Sequence, residues 1–160
     1  MAREVFCPLI RPLAFALQVG FFAGLIWGLA GVVLHFFGFS EVKPASWAGP
    51  WLNKSAASSW VGALSGLAVY TVISILASLV YAAVLRKAKG PWPGILYGLF
   101  WYLLLFFGIG HALGLLPAWN RMEMHSHVSE LCRFLLWGAF IGYSITFEFT
   151  DERTREPGMG

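Results

Sequence analysis

The sequence has little charge. Charged residues make up 12% of the 160-residue chain, against about 25% in soluble domains. That shortage argues against a solvated surface on all sides. The few bases sit at the ends of apolar runs and form no stripe that could track phosphates, so the net charge of +3 does not point to nucleic acid. Cysteine is scarce too. Cys7 and Cys132 lie far apart, and no CxxC spacing suggests a zinc or redox centre. There is no HExxH, no paired-glutamate protease motif and no P-loop.

What the chain has is apolar sequence in long blocks. Hydrophobic residues make up 58% of it, with a mean hydropathy of +0.69. Four runs reach or exceed the roughly 20 residues that cross about 30 Å of hydrocarbon as a helix: residues 13–39, 60–85, 92–116 and 131–149. Helix is the form expected, because a lone strand would leave its backbone groups unpaired in lipid. The first run is too long for a cleaved signal peptide and reads as a retained anchor.

The expected fold class is therefore an all-α membrane protein with four transmembrane helices. Residues 1–150 form one domain, and 151–160 form a disordered cytoplasmic tail. Arg3, Arg11, Arg86, Lys87, Lys89, Arg153 and Arg155 fall on one side. Lys43, Lys54 and Arg121 fall on the other, with Arg133 at a helix edge. The richer side should be cytoplasmic, which places both termini inside. Trp47, Trp51, Trp60 and Trp119 are expected to belt the outer interface, and Trp92 and Phe149 the inner one. The short turn 86–91 should make spans two and three an antiparallel hairpin. The loop 40–59 should lie along the membrane surface, and the polar stretch 117–130 should be a second outer loop.

Small residues recur at helical spacing: Gly20, Gly24 and Gly28 in span one; Ser58, Gly62, Gly66, Ser74, Ser78 and Ala82 in span two; Gly94 and Gly98 in span three; Gly138 and Gly142 in span four. Such faces let backbones approach closely. They serve either to pack the four helices on one another or, at Gly20-Gly24-Gly28, to hold another chain. Spans one and three also align, GLIWGLAGVVLHFFG from Gly24 with GILYGLFWYLLLFFG from Gly94, whereas spans two and four match far less, sharing mainly Gly-Ala-x-x-Gly at Gly62 and Gly138. The alignment points to a two-helix internal repeat, although spans rich in Leu, Phe and Gly also align by chance.

Polar groups within a membrane are the functional candidates. His35 and His111 fall near the outer ends of their spans, where an imidazole can reach water or a backbone carbonyl. Arg133 can pair with Glu130 one turn earlier, as an interfacial anchor. Glu148 lies within reach of the 86–89 turn. Glu123, His125, His127 and Glu130 are of metal-ligating type, but His-x-His in an irregular loop is a weak pattern, so no metal is expected. Ser65 in Gly62-Ala-Leu-Ser65-Gly66 faintly resembles an intramembrane nucleophile, with His111 as a base, but Ala63 stands where that pattern needs glycine. Thr71, Ser74 and Ser78 are expected to bond their own helix. Asn53-Lys54-Ser55 fits a glycosylation acceptor, a common chance tripeptide.

The segments GFFAGLIWG from Gly20, FSEVKP from Phe39, GILYGL from Gly94 and GAFIGYSITFEF from Gly138 together resemble the YqhR-type conserved membrane proteins of endospore-forming bacilli. The resemblance covers most of the chain. It implies four spans and a cytoplasmic-membrane location, and supplies no site residues. The reading is a multi-pass, non-catalytic component with no cofactor, catalytic or metal residues. Besides the lipid bilayer, its partner would be a membrane protein or another copy, met through small-residue faces. The rival is an oligomeric carrier or channel for a small solute or ion.

Overall fold

The computed structural model describes residues 2–53, 55, 58–85, 90–117 and 119–155. The described residues are mostly helical, with no strand among them. Helix α1 spans Ala2–Phe36, α2 Trp60–Val84, α3 Trp92–Leu103, α4 Ile109–Ala112 and α5 Met124–Arg155. A π-helical turn, Leu104–Gly108, joins α3 to α4. Short 3-10 helices run over Pro44–Trp51 and Trp119–Arg121.

Among the described residues, three helical stretches are long and apolar enough to cross a membrane: Leu13–Phe36, Trp60–Val84 and Met124–Glu148. The fourth apolar helix, Trp92–Gly108, is shorter. It stays helical to Ala112 only by way of the π turn, and residues 113–116 are no longer helix as the sequence suggested. Gly114, at φ +67, reverses the chain. The Leu115 and Leu116 amides then fold back on the Gly110 carbonyl. Gly38, at φ +76, ends α1 in the same way at Phe36 rather than Phe39. There the Phe39 and Gly38 amides donate to the Leu34 and His35 carbonyls, a Schellman cap in which glycine takes the left-handed position.

Contacts alternate in direction. Gly20 lies against Ile75 and Gly28 against Leu67; likewise Gly94 lies against Gly142 and Gly98 against Phe134. The four long helical segments therefore run up, down, up, down. The start of α1 and the end of α5 lie at the same end of the bundle.

Spans two and three, expected to form a hairpin, touch through the Tyr97 hydroxyl on the Ala77 carbonyl, but the closest backbone approaches lie elsewhere. The close pairs are α1 with α2, and α3 with α5. A Cβ on Gly24 would sit 2.6 Å from the Thr71 Cα, and one on Gly138 would sit 2.5 Å from the Gly98 Cα. Backbones approach where both sides are small. The facing residues of α2 and α3 are large, and there the helices meet through Tyr81 and Tyr97, whose ring centroids are 5.1 Å apart. The glycine stripes of spans one and three are thus covered by the chain's own helices, and α2 occupies the Gly20-Gly24-Gly28 face.

Two loop expectations also change. Residues 44–51 turn inward over the bundle end. The Pro44 carbonyl lies where a Gly66 side chain would be, and Trp47 is 4% exposed, packed edge-on against Tyr70. Trp47 is core, whereas Trp51, Trp60 and Trp92 face outward. The stretch read as a second outer loop is helical from Met124 onward, and α5 continues to Arg155. The side chains of Trp119, Phe149 and residues 2–12 lie outside the described part, as do residues 86–89.

Candidate functional site

Helix α5 places Glu130 and Arg133 one turn apart on its inner face. Arg133 Nε donates to Glu130 Oε2 at 3.0 Å, and Nη2 donates to the same oxygen. The sequence suggested this pair, but as an interfacial anchor. The structure buries it instead, leaving Glu130 1% and Arg133 4% exposed. Arg133 does not snorkel toward water. Its Nη1 donates at 3.1 Å to the Trp27 carbonyl, near the middle of the apolar stretch Leu13–Phe36. That approach is open because Gly31 leaves room, a Cβ there standing 3.2 Å from Nη1. The guanidinium lies over the rings of Tyr70 and Phe134, with its carbon 5.0 and 5.1 Å from their centroids.

The second carboxylate oxygen is also occupied. Ser40 Oγ donates to Glu130 Oε1 at 2.6 Å. The same serine accepts from the Val42 amide. Next to it, the Glu41 amide donates to Ser126 Oγ at 3.1 Å, and the Glu41 carboxylate accepts from the Glu123 amide at 3.2 Å. That carboxylate sits at the start of α5, where negative charge suits the helix dipole. The segment 40–42 is thereby stitched to the first two turns of α5. Between them lies a cavity of about 20 Å³, lined in part by Gly28, Trp47, Tyr70, Glu130 and Arg133. It has room for about one water.

This arrangement satisfies buried charge. A buried carboxylate or guanidinium alone is strongly unfavourable. Here each neutralises the other, and each has a further hydrogen-bond partner from α1 or the loop that follows it. The centre ties α1, the 40–42 segment, α2 and α5 together at one end of the bundle.

The other candidates are dispersed. Glu123 and His125 form an exposed pair at 3.2 Å. His127 is buried and turned toward Tyr102, whose hydroxyl is 3.3 Å from Nδ1. Glu130 faces Arg133, so the four residues of metal-ligating type do not converge. Among the described residues no group of three or more His, Cys, Asp or Glu could hold a metal. His35 Nδ1 lies 2.9 Å from the Ser40 carbonyl, which only accepts, so that nitrogen carries the proton. Ser65 donates to the Gly62 carbonyl. The side chain of His111 is outside the described residues, and so is the 86–89 turn expected to meet Glu148.

The hydroxyls of α2 divide. Thr71 bonds the Leu67 carbonyl of its own helix, as expected. Ser78 instead donates across to the Ala16 carbonyl of α1 at 2.6 Å, and Ser74 accepts from Trp137 Nε1 of α5 at 2.9 Å. Sequence reasoning gave no role to Ser40 or Trp27, and it placed Trp47 in the outer aromatic belt rather than in the core. The one available signal was FSEVKP, quoted for its resemblance rather than for its chemistry.

The comparisons with known proteins now bear on this geometry. The family described as "Conserved membrane protein YqhR" matches residues 10–158. The chain belongs to this family. It is also 32% identical over 132 residues to "Uncharacterized protein YqhR" of Bacillus subtilis (strain 168), covering 82% of this chain and 74% of that protein. No solved structure matches. The family is one of membrane proteins, in keeping with the apolar helices. Its description carries no reaction or ligand that would assign the Glu130–Arg133 centre a chemical role.

Proposed function

We propose that this YqhR-family chain is a four-span protein of the bacterial cytoplasmic membrane. In this reading both termini are cytoplasmic, and the chain acts without catalysis, through helix contacts with a membrane partner or a second copy. The observation that carries the reading is how the intramembrane polar groups are used. Glu130, Arg133, Ser74 and Ser78 are bonded to Ser40, the Trp27 carbonyl, Trp137 and the Ala16 carbonyl. They hold the bundle together. Large apolar side chains such as Phe22, Leu29, Val72, Leu76 and Leu136 face outward. Because the glycine stripes are filled from within, a partner would meet these outward faces.

The π turn fits the four-span count. It continues the shorter third helix, Trp92–Leu103, to Ala112. The alternating helix directions and the distribution of Lys and Arg support the orientation. Reporter fusions after residues 89 and 155 should be active only as cytoplasmic reporters, and one near residue 54 only as an external reporter. An external signal at Arg155 would overturn the topology.

The contact reading is tested by photoreactive residues placed singly at Phe22, Leu29, Val72 and Leu136 in native membranes. A discrete adduct from adjacent positions on one face, identified as one protein or a second copy, supports it. The carrier reading is favoured by one feature, a buried ion pair beside a small cavity. Reconstituted vesicles in which Glu130→Gln abolishes a solute or ion flux, with no adduct at any face, would replace the contact reading with the carrier.

A further inference from the structure

Between α2 and α3 lies a cleft of about 610 Å³, open on its side and walled by Val80, Val84, Leu85, Leu96 and Phe100, with Trp92 at the mouth. Its one polar wall residue, Tyr97, has its hydroxyl on the Ala77 carbonyl at 2.7 Å. The wall therefore presents no free hydroxyl to a polar ligand. The residues that line it run from Leu85 and Trp92 at one end to Val80 and Phe100 at the other. From Trp92 to Phe100 a helix rises about 12 Å at 1.5 Å per residue, close to half of the roughly 30 Å hydrocarbon layer.

We infer that this cleft is a lipid site that takes one acyl chain of an anionic phospholipid from the leaflet at that end. The proposal rests on the four-span reading. Size excludes a protein occupant. One turn of helix about 10 Å wide and 5.4 Å long fills ~400 Å³, so the cleft would hold less than two turns of a partner that has to cross the whole bilayer. A stable protein contact uses about 20–30 residues a side, far more than this wall supplies. An acyl chain needs no hydrogen bonds, enters from the side and ends within one leaflet. Charge selects the headgroup. The mouth is flanked by Leu85 and Trp92, and the sequence connecting them contains Arg86, Lys87 and Lys89, a positive stretch that favours an anionic phosphate.

The test uses the full-length protein in nanodiscs containing a phospholipid with a photoreactive group near the tail end. It compares phosphatidylglycerol with phosphatidylcholine and maps the adducts by mass spectrometry. Phe21 and Leu76, exposed elsewhere, report the lipid-facing background. The expected result is labelling at Val80, Val84, Leu96 and Phe100 well above that background. Phosphatidylglycerol should exceed phosphatidylcholine by at least about fivefold, the preference that one nearby Lys or Arg confers. Leu96→Trp, which fills the cleft, should remove the excess and leave Phe21 and Leu76 labelled.

Cleft labelling no higher than background in the wild-type protein overturns the site, whatever the variant does. Equal labelling by the two lipids overturns the anionic preference. Adducts between two copies of the chain through the cleft overturn the lipid as occupant. Absence of labelling at Phe21 and Leu76 would instead mean failure of the membrane-spanning reading, so the two failures are distinct.

Discussion

Ser40 Oγ and Glu130 Oε1 are joined by a 2.6 Å hydrogen bond between residues 90 positions apart, buried at one end of the bundle. This bond fastens the loop after α1 to α5, and it completes the shell of a carboxylate whose other oxygen is held by Arg133. Ser40→Ala would leave Glu130 Oε1 without that donor. An unsatisfied buried acceptor costs about 1–3 kcal/mol, more when charged. Thermal unfolding in nanodiscs should show a lowered midpoint, and Ser40→Thr, which keeps the hydroxyl, should recover part of it. A Ser40→Ala midpoint equal to wild type would show that the bond contributes nothing.

The glycine seams should rank by what faces them. A Cβ on Gly94 would stand 2.7 Å from the Gly138 carbonyl oxygen, while one on Gly108 finds only Leu104 Cδ1, at 3.8 Å. Gly94→Ala forces the α3–α5 pair apart, and overpacking of this kind costs about 1–3 kcal/mol. Gly108→Ala should be neutral or stabilising by up to about 1 kcal/mol, because it restricts the unfolded chain. Compared for resistance to denaturation in detergent, Gly94→Ala should fall below wild type and Gly108→Ala at or above it. Equal behaviour would mean that the α3–α5 seam is not closely packed.

Two tryptophans four residues apart should also behave differently. Trp47 is 4% exposed and Trp51 74%. Trp47→Ala empties space against Tyr70 and should cost about 3–5 kcal/mol. Trp51→Ala removes an exposed ring and should alter the thermal midpoint little. A large loss for Trp51 with none for Trp47 would restore the surface-lying loop.

The cysteines provide a distance check. Arg133, next to Cys132, reaches the Trp27 carbonyl, and Cys7 lies 20 residues further down α1, about 30 Å at 1.5 Å per residue. Disulfides need Cα atoms within about 7 Å. A non-reducing gel of the oxidised protein should show no intramolecular bridge, and finding one would contradict the path of α1.

Much of this architecture was readable from local sequence. Apolar length marks the helical stretches, because lipid-exposed helices need side chains that are apolar along their whole length. The 130/133 spacing gives the ion pair, and the fourfold glycine spacing gives the close-packing faces. Whatever depends on residues distant in sequence was not readable. Nothing near residues 130–133 says that Ser40 will meet Glu130 or that the Trp27 carbonyl will meet Arg133, so a buried pair reads as a surface anchor. Glycine spacing shows that a face is close-packed but not which helix fills it, and the short 86–91 connection does not tell that α2 and α3 meet through Tyr81 and Tyr97 while the glycine seams lie elsewhere. The start of α5 was hidden because Glu123, His125 and Ser126 look like loop, although Ser126 and Glu130 are themselves buried.

In the proposed function, the Glu130–Arg133 centre holds the fold and carries no transport or chemistry. Removing one partner of a buried ion pair costs about 3–5 kcal/mol, whereas replacing both by apolar residues of similar volume is often neutral or stabilising. The most direct measurement compares Glu130→Met, Arg133→Met and the double variant for thermal stability in nanodiscs and for complementation of a strain lacking the protein. The account predicts that each single variant is strongly destabilised, and that the double variant recovers most of the stability and complements. A double variant as stable as wild type that fails to complement would contradict the account, because the charges would then be needed for function and not for the fold.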